Sequence, residues 1–266
     1  MHGFMSRDFT HHLSNSKSMK PDFLIIGSQK CGTSSLLYYL GQHTEIAIPN
    51  IKEIHFFDVK YHKGIEWYEN QFPDKTDVAK ITGEATPYYL FHPLVPQRVA
   101  LHYPEIKIIV LLRNPINRAY SHYWMIKNRG QESQQTFEKA IEAEAERVEP
   151  EIVKILKNPE YRSKSHQHHS YLSRGKYFEQ LQNWFLYFPI TNFHFIKTEN
   201  LLVKPISELE KLYSFLGIKY TDQINLSLQR TSKYPSMKPE TRKILNNFFR
   251  LHNEKLKTII GDEFTW

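Results

Sequence analysis

The stretch from Asp22 to Gln42 (DFLIIGSQKCGTSSLLYYLGQ) narrows the possible folds more than any other part of this chain. Residues 21–27 read as a short buried strand that stops at Gly27. Thr33 to Gln42 reads as a helix with Leu36, Leu37 and Leu40 on one face. Between them, Gly27-Ser28-Gln29-Lys30-Cys31-Gly32-Thr33-Ser34 has the spacing of a phosphate-binding loop, G-x-x-x-x-G-K-[ST]. One position departs from it: Thr33 stands where lysine is usual, and a lysine, Lys30, comes three residues earlier. Backbone N–H groups between Gly27 and Thr33, with the positive end of the following helix, form an anion cradle.

Strand, glycine-rich turn and helix make the opening unit of an α/β sheet. Residues 106–112 (IKIIVLL) form a second aliphatic run, of the kind buried on both faces of a parallel sheet. Pro115 suits the first turn of a helix after it, where Ile116, Tyr120, Tyr123 and Trp124 share a stripe. Weaker strands are predicted at 80–84 and 192–197. Helices are predicted at 93–102, 136–148, 176–188, 205–217 and 238–260, and Tyr177, Leu181, Trp184, Phe185 and Phe188 mark a core-facing stripe in the third. With no repeat or low-complexity linker, the 266 residues are expected to form one P-loop-containing three-layer α/β/α domain over 21–266, with a central mainly parallel sheet. Residues 1–20, polar and without an apolar core, read as a flexible leader rather than a secretory signal.

Charge points to the kind of partner. Lys and Arg number 35 against 28 Asp and Glu, a net +7 that favours an anion. The charge is polarised: residues 130–151 hold seven acids and two bases, whereas 230–257 hold eight bases and two acids. Cys31 is the single cysteine, so an intrachain disulfide and a multi-cysteine zinc site are both excluded. No aliphatic run approaches the roughly 20 residues that span a bilayer, and the expected location is cytoplasmic or at a membrane surface. No basic-aromatic motif or zinc-ligand pattern supports nucleic-acid binding. His11, His12, His166, His168 and His169 lack acidic or thiol partners at ligand spacing and read as surface residues; no metal is expected.

A kinase or ATPase needs an acidic residue for Mg²⁺ near the end of a neighbouring strand. Here the second strand runs into Leu112-Arg113-Asn114-Pro115, which offers a guanidinium instead. That favours a nucleotide donor handled without Mg²⁺, and Ser121, about two helical turns further on, is placed to join Arg113 on one phosphate.

Taken together these segments resemble the sulfotransferases that use 3′-phosphoadenosine 5′-phosphosulfate (PAPS), within them the heparan sulfate N- and O-sulfotransferase domains and their bacterial relatives. The resemblance runs from about Asp22 to Trp266. FLIIGSQKCGTSSL resembles the family's loop for the 5′-phosphosulfate, and IIVLLRNPINRAYSHYW its 3′-phosphate motif. KEIHFFD, YHKGIEWYENQFP, GEATPYYL and NEKLKTIIGDEFTW also have counterparts there. The resemblance implies PAPS as donor, released as PAP, bound by Lys30, Cys31, Gly32, Thr33 and Ser34, by Arg113 and Ser121, and by Lys233 in a basic loop near the C-terminus. It implies Glu53 as general base, its pKa raised by burial beside the anionic donor, and Lys30 on the oxygen where charge grows as the bond breaks. His55, two residues from Glu53, points the same way if the segment is extended, and then positions the acceptor or assists proton transfer. Cys31 reads as a small residue packed in the turn.

Two departures matter. Ala85 replaces the lysine of a Glu-Lys-Thr-Pro segment, which argues against heparan specificity, and the glycine usual near Lys233 is missing. The expected reaction is in-line transfer of sulfonate to a hydroxyl or amine of a carbohydrate or glycoconjugate, such as an acidic glycan or glycolipid. A P-loop nucleotide kinase and an inactive nucleotide-binding module are the alternatives. The acceptor pocket is expected from loops around 55–72, 84–92 and 160–175.

Overall fold

The computed structural model describes residues 20–227 and 233–266. The expected leader therefore lies, but for Lys20, outside the described residues. Five strands form one parallel sheet: β1 (Phe23–Gly27), β2 (Ile46–Ala47), β3 (Ile81–Ala85), β4 (Lys107–Leu112) and β5 (Phe193–Lys197), in the order β2-β3-β1-β4-β5. The helices are α1 (Thr33–Leu40), α2 (Ile65–Glu69), α3 (Val95–His102), α4 (Pro115–Asn128), α5 (Phe137–Glu142), α6 (Glu144–Lys157), α7 (Lys164–His168), α8 (Tyr177–Phe185), α9 (Thr198–Val203), α10 (Pro205–Leu216) and α11 (Pro239–Ile260).

Alternation along the strands sorts the core into two layers. Phe23, Ile25, Ile109 and Leu111 face Leu36, Leu37 and Leu40 of α1 and Leu209, Leu212 and Leu216 of α10. Leu24, Ile26, Ile108, Val110 and Leu112 face Val95 and Val99 of α3 and Tyr177, Leu181 and Trp184 of α8. A third cluster joins Ile116, Ala119 and Tyr123 of α4 to Phe137 of α5 and to Leu245 and Phe249 of α11. The result is the expected three-layer α/β/α sandwich.

Two differences from the sequence reading have physical causes. The helix expected over 136–148 is two helices, broken at Ala143, and the second continues through Pro150 to Lys157. At the break Glu144 turns inward, and its carboxylate accepts the backbone N–H groups of Leu172 (2.6 Å) and Ser173 (2.7 Å). Glu132 is buried too, paired with Arg147 at 3.1 Å and hydrogen-bonded by Tyr171. The acidic run is thus partly structural. Four short elements, β2, α2, α7 and α9, carry too few residues to show a period and were not foreseen.

The chain passes from β3 to β4 across β1, so connections leave β1 and β4 in opposite directions. In such sheets ligands bind in the crevice beyond the strand ends at that point. The loop after β1 and Arg113 after β4 both lie there.

Trp184 links the α8 layer to the site: fully buried, it donates its indole N–H to the Leu90 carbonyl at 3.3 Å, just beyond β3. Trp184→Ala is expected to destabilise the fold by about 3–5 kcal/mol in chemical denaturation.

Candidate active site

The loop between β1 and α1 is tightly determined. The Ser28 N–H donates to the Leu111 carbonyl at 2.7 Å and the Cys31 N–H to the Ser28 carbonyl at 3.1 Å. Gly32 has φ of +92° and Lys30 of +71°, so the chain turns back on itself at both. Gly27 is needed for a different reason: a Cβ there would lie 2.7 Å from the Leu90 Cβ. α1 then starts without a side-chain cap and without an acidic residue in its first turn. Its first N–H groups have no intrahelical acceptor and carry the positive end of the helix, the combination that binds phosphate.

Cations gather around this loop. Burial, then the charges of Arg113, Arg129 and Lys52, lower the pKa of the Lys30 ammonium. Arg113 donates from Nη1 to the Lys30 carbonyl at 3.3 Å, and Tyr177 donates its hydroxyl to the Arg113 carbonyl at 2.9 Å. Thr198 donates to the Cys31 carbonyl at 2.8 Å. The Cys31 side chain is packed inside, and burial raises its thiol pKa despite the nearby guanidiniums. It is a filler of the turn.

Arg174, fully buried, was not singled out from sequence. It donates to Gln29 Oε1 (3.0 Å), Ser170 Oγ (2.9 Å) and the Gln167 carbonyl (2.7 Å), and lies 4.7 Å above the Tyr88 ring. It ties the loop to the 160–175 segment. Arg118, buried on α4, donates from Nη2 to the Tyr171 carbonyl and has no protein partner at Nε or Nη1. No sequence signal separates a buried arginine from a solvated one.

Ser121 is buried on α4, whose start is fixed by Asn114: its side chain accepts the N–H groups of Ile116 (3.0 Å) and Asn117 (3.1 Å). Lys233 is exposed. Its neighbour Tyr234 stacks on Trp124 with centroids 6.3 Å apart and meets Tyr120 edge-on at 5.4 Å, while Tyr120 donates to the Pro235 carbonyl at 2.9 Å. The segment entering α11 is thereby held on the helix that carries Ser121. Arg230 to Ser232 lie outside the described residues.

Glu53 and His55 form the acidic side. Glu53 has about a third of its side chain exposed (35%) and meets Lys52 Nζ and His55 Nε2, each at 3.4 Å. His55 Nδ1 lies 2.6 Å from Asp58 Oδ2, and Asp58 is buried and accepts the Val59 N–H at 2.6 Å. Two expectations are corrected here. Burial does push the Glu53 carboxyl up, but the hydrogen bond from His55 and the charge of Lys52 outweigh it and hold the group below its usual range. The segment is not extended either: Glu53 and His55 both have φ of +56°. They meet because the chain coils through two left-handed residues before the π turn over Phe56–Lys60. Burial opposes a charge on His55, yet hydrogen bonds to Asp58 and Glu53 raise its pKa to about 10. Asp58 was missed, although its three-residue offset from His55 was a possible signal.

The floor of this half is β3. Thr86 donates to the buried Glu84 (2.6 Å) and accepts the His55 N–H (3.4 Å), and Tyr68 donates to Glu84 at 3.3 Å. Burial raises the Glu84 pKa to about 7. Ala85 faces the apolar layer against α1. His166, expected at the surface, is buried, 2.6 Å from the Tyr88 hydroxyl and stacked on Phe91 at 4.3 Å; burial, then Arg174, lowers its pKa to about 2. Among the described residues no group of three His, Cys, Asp or Glu could hold a metal ion. His11 and His12 lie outside them.

Comparison with known proteins shows the family and the fold. A family profile described as a sulfotransferase domain matches residues 20–257. The membrane-associated sulfotransferase kil1 of Dictyostelium discoideum is 29% identical, over 92% of this chain and 66% of its own length. The bifunctional heparan sulfate N-deacetylase/N-sulfotransferase 2 of Bos taurus is 30% identical, over 91% of this chain and 29% of its own. Heparan sulfate glucosamine 3-O-sulfotransferase 5 of Mus musculus is 28% identical, over 96% and 76%. A sulfotransferase from Alicyclobacillus acidocaldarius has a similar solved structure: TM-score 0.73 and 29% identity, covering 91% of this chain and 97% of that one. The chain thus spans less than two thirds of the first two relatives.

The clamp on His55 is directly measurable. Its imidazole is expected to titrate near pH 10 by NMR, and Asp58→Asn to bring the midpoint down towards the usual value of about 6.5. A raised native pKa stabilises the fold fully below the unfolded value, and that contribution is lost as pH rises through the native one. Stability should therefore decline towards about pH 10, and His55→Gln should flatten that decline.

Proposed function

The chain belongs to the sulfotransferase family, and from that premise we propose that it moves a sulfonate group from PAPS to a hydroxyl or amine of an anionic carbohydrate or glycoconjugate. The observation that carries this reading is the placing of an ionised carboxylate, Glu53, beside the cations of a phosphate-type loop. Lys52 pairs with Glu53 at 3.4 Å and its charge also acts on Lys30. The domain responsible is residues 21–266.

The residues present suit the donor. The uncapped start of α1 and the left-handed Gly32 suit a 5′-phosphosulfate. Arg113 and Ser121, with Lys233 at the rim, suit the 3′-phosphate that distinguishes PAP from ADP. In the reaction the acceptor heteroatom attacks sulfur as the bond from sulfur to the 5′-phosphate oxygen breaks. The acceptor proton passes to Glu53, which is ionised at neutral pH. Lys30 faces the departing oxygen, where negative charge grows. His55, already an imidazolium at neutral pH, acts as a positioning cation that fixes the Glu53 carboxylate, with Asp58 behind it.

The acceptor side supports an anionic ligand. His62, Lys63, Arg162 and Lys164 are exposed on two of the loop regions, 55–72 and 160–175, from which the acceptor pocket is expected, with Lys63 4.4 Å above the Trp67 ring and Arg162 3.4 Å from His62. Two relatives are named for heparan sulfate, which favours an acidic glycan as acceptor. One relative is named as membrane-associated, and among the described residues no helix is long and apolar enough to cross a membrane. A location at a membrane surface is in keeping with that relative.

Two substitutions test the assignment. Glu53→Gln is expected to abolish sulfonate transfer from labelled PAPS while PAP still raises the melting temperature as in the parent; retained turnover would mean a different base. Arg113→Ala is expected to weaken PAP binding by about 1.5–3 kcal/mol, as for one lost charged hydrogen bond, with little change for ADP. Equal losses for PAP and ADP in calorimetry would move the 3′-phosphate elsewhere.

A further inference from the structure

The longest helix has an apolar stripe that is partly exposed among the described residues. Along α11, Leu245, Phe249 and Leu256 are buried, Leu245 and Phe249 in the cluster with α4 and Leu256 in the layer with α8. Ile244, Phe248 and Leu251 follow at i, i+4 and i+7 and make a second stripe beside the first. They are 66%, 38% and 57% exposed. Single exposed apolar residues are ordinary, but a contiguous helical stripe marks an interaction surface.

The stripe is framed by cations. Lys176 at the start of α8 lies 5.4 Å from the Phe248 ring, and Lys255, one turn beyond Leu251, lies 5.8 Å from the Phe178 ring. Lys243 and Arg250 flank the stripe on its other side. Of the acids near it, Glu254 pairs with Arg250 at 3.6 Å and Glu179 with His252 at 2.6 Å, while Glu240 is exposed one turn before Ile244. An exposed apolar stripe bordered by lysine and arginine is the pattern of a helix that lies in a membrane interface, with its apolar residues among the acyl chains and its cations at the phosphates. An acidic glycan alone would need the cations and leave the three apolar side chains in water.

We propose that the Ile244, Phe248 and Leu251 face of α11, with Lys176, Lys243, Arg250 and Lys255, docks this protein on an anionic lipid surface. The inference does not depend on the identity of the acceptor, because lipid partition is measured without any sulfonate transfer. Docking there would restrict the enzyme to acceptors displayed close to that surface.

Co-sedimentation of the full chain with phosphatidylcholine vesicles, with and without phosphatidylserine, tests it. The parent is expected to sediment with the phosphatidylserine vesicles and to be released by salt. The triple variant Ile244→Ser, Phe248→Ser, Leu251→Ser should lose roughly tenfold in partition, with PAP-induced stabilisation unchanged. Lys243→Gln with Lys255→Gln should lose severalfold and respond less to salt. Absence of sedimentation with either vesicle would overturn the proposal, as would a triple variant that partitions like the parent. Retention on heparin through the same residues without vesicle binding would assign the face to a glycan, and a concentration-dependent dimer abolished by the triple variant would assign it to a second copy; either result also overturns it.

Discussion

Like charges do not gather unless a fold compels them. Lys30, Arg113, Arg129 and Lys52 are near enough that the charges of the other three lower the Lys30 pKa. Their repulsion is held by covalent and packing constraints: Arg113 follows a strand buried from Ile108 to Leu112, and Lys30 is fixed to a turn between two glycines. The Lys30 carbonyl accepts from Arg113, and the Tyr177 hydroxyl donates to the Arg113 carbonyl. An anion among these groups would relieve that repulsion. The rest of the architecture, from the buried Arg174 under the loop to the Trp184 layer beneath β3, keeps this cluster in place.

The acidic half obeys the opposite rule. Glu53 is half-buried and would be raised by desolvation alone, yet it is kept ionised by a histidine that is itself kept charged by a second, buried carboxylate. The three groups hold one another in place. A carboxylate held this way is a weaker base than a desolvated one, but it is deprotonated across the neutral range and aimed by two contacts. Orientation is thus favoured over raw basicity. The coupling to β3 through Thr86 and Glu84 places that set on the rigid sheet rather than on a free loop.

Local signals survived folding where the local chain supplies the whole cause. The β1 loop and α1 follow from an apolar run, two glycines and a leucine stripe, all within twenty-odd residues, and β4 with its following Pro115 helix does the same. The layer order follows from strand alternation. By contrast, the 136–148 prediction failed because the break at Ala143 is set by Glu144 reaching N–H groups about thirty residues away. His166 looked like a surface histidine because its partners, Tyr88 and Phe91, are remote in sequence.

By itself, then, the sequence determined four of the five strands and the glycine-rich loop with the helix after it, since each rests on residue types at short spacing. Tertiary structure alone decided the protonation states and the working geometry. Whether Glu53 is raised or lowered depends on which charges end up within hydrogen-bond reach, and that reach came from two left-handed residues that no periodicity announces. The same holds for Arg174 and Arg118, whose burial behind the loop is a property of the packed layers and not of the arginines. Spacing along a chain specifies which groups are available; only the closed fold sets the distances and the local dielectric on which their charges depend.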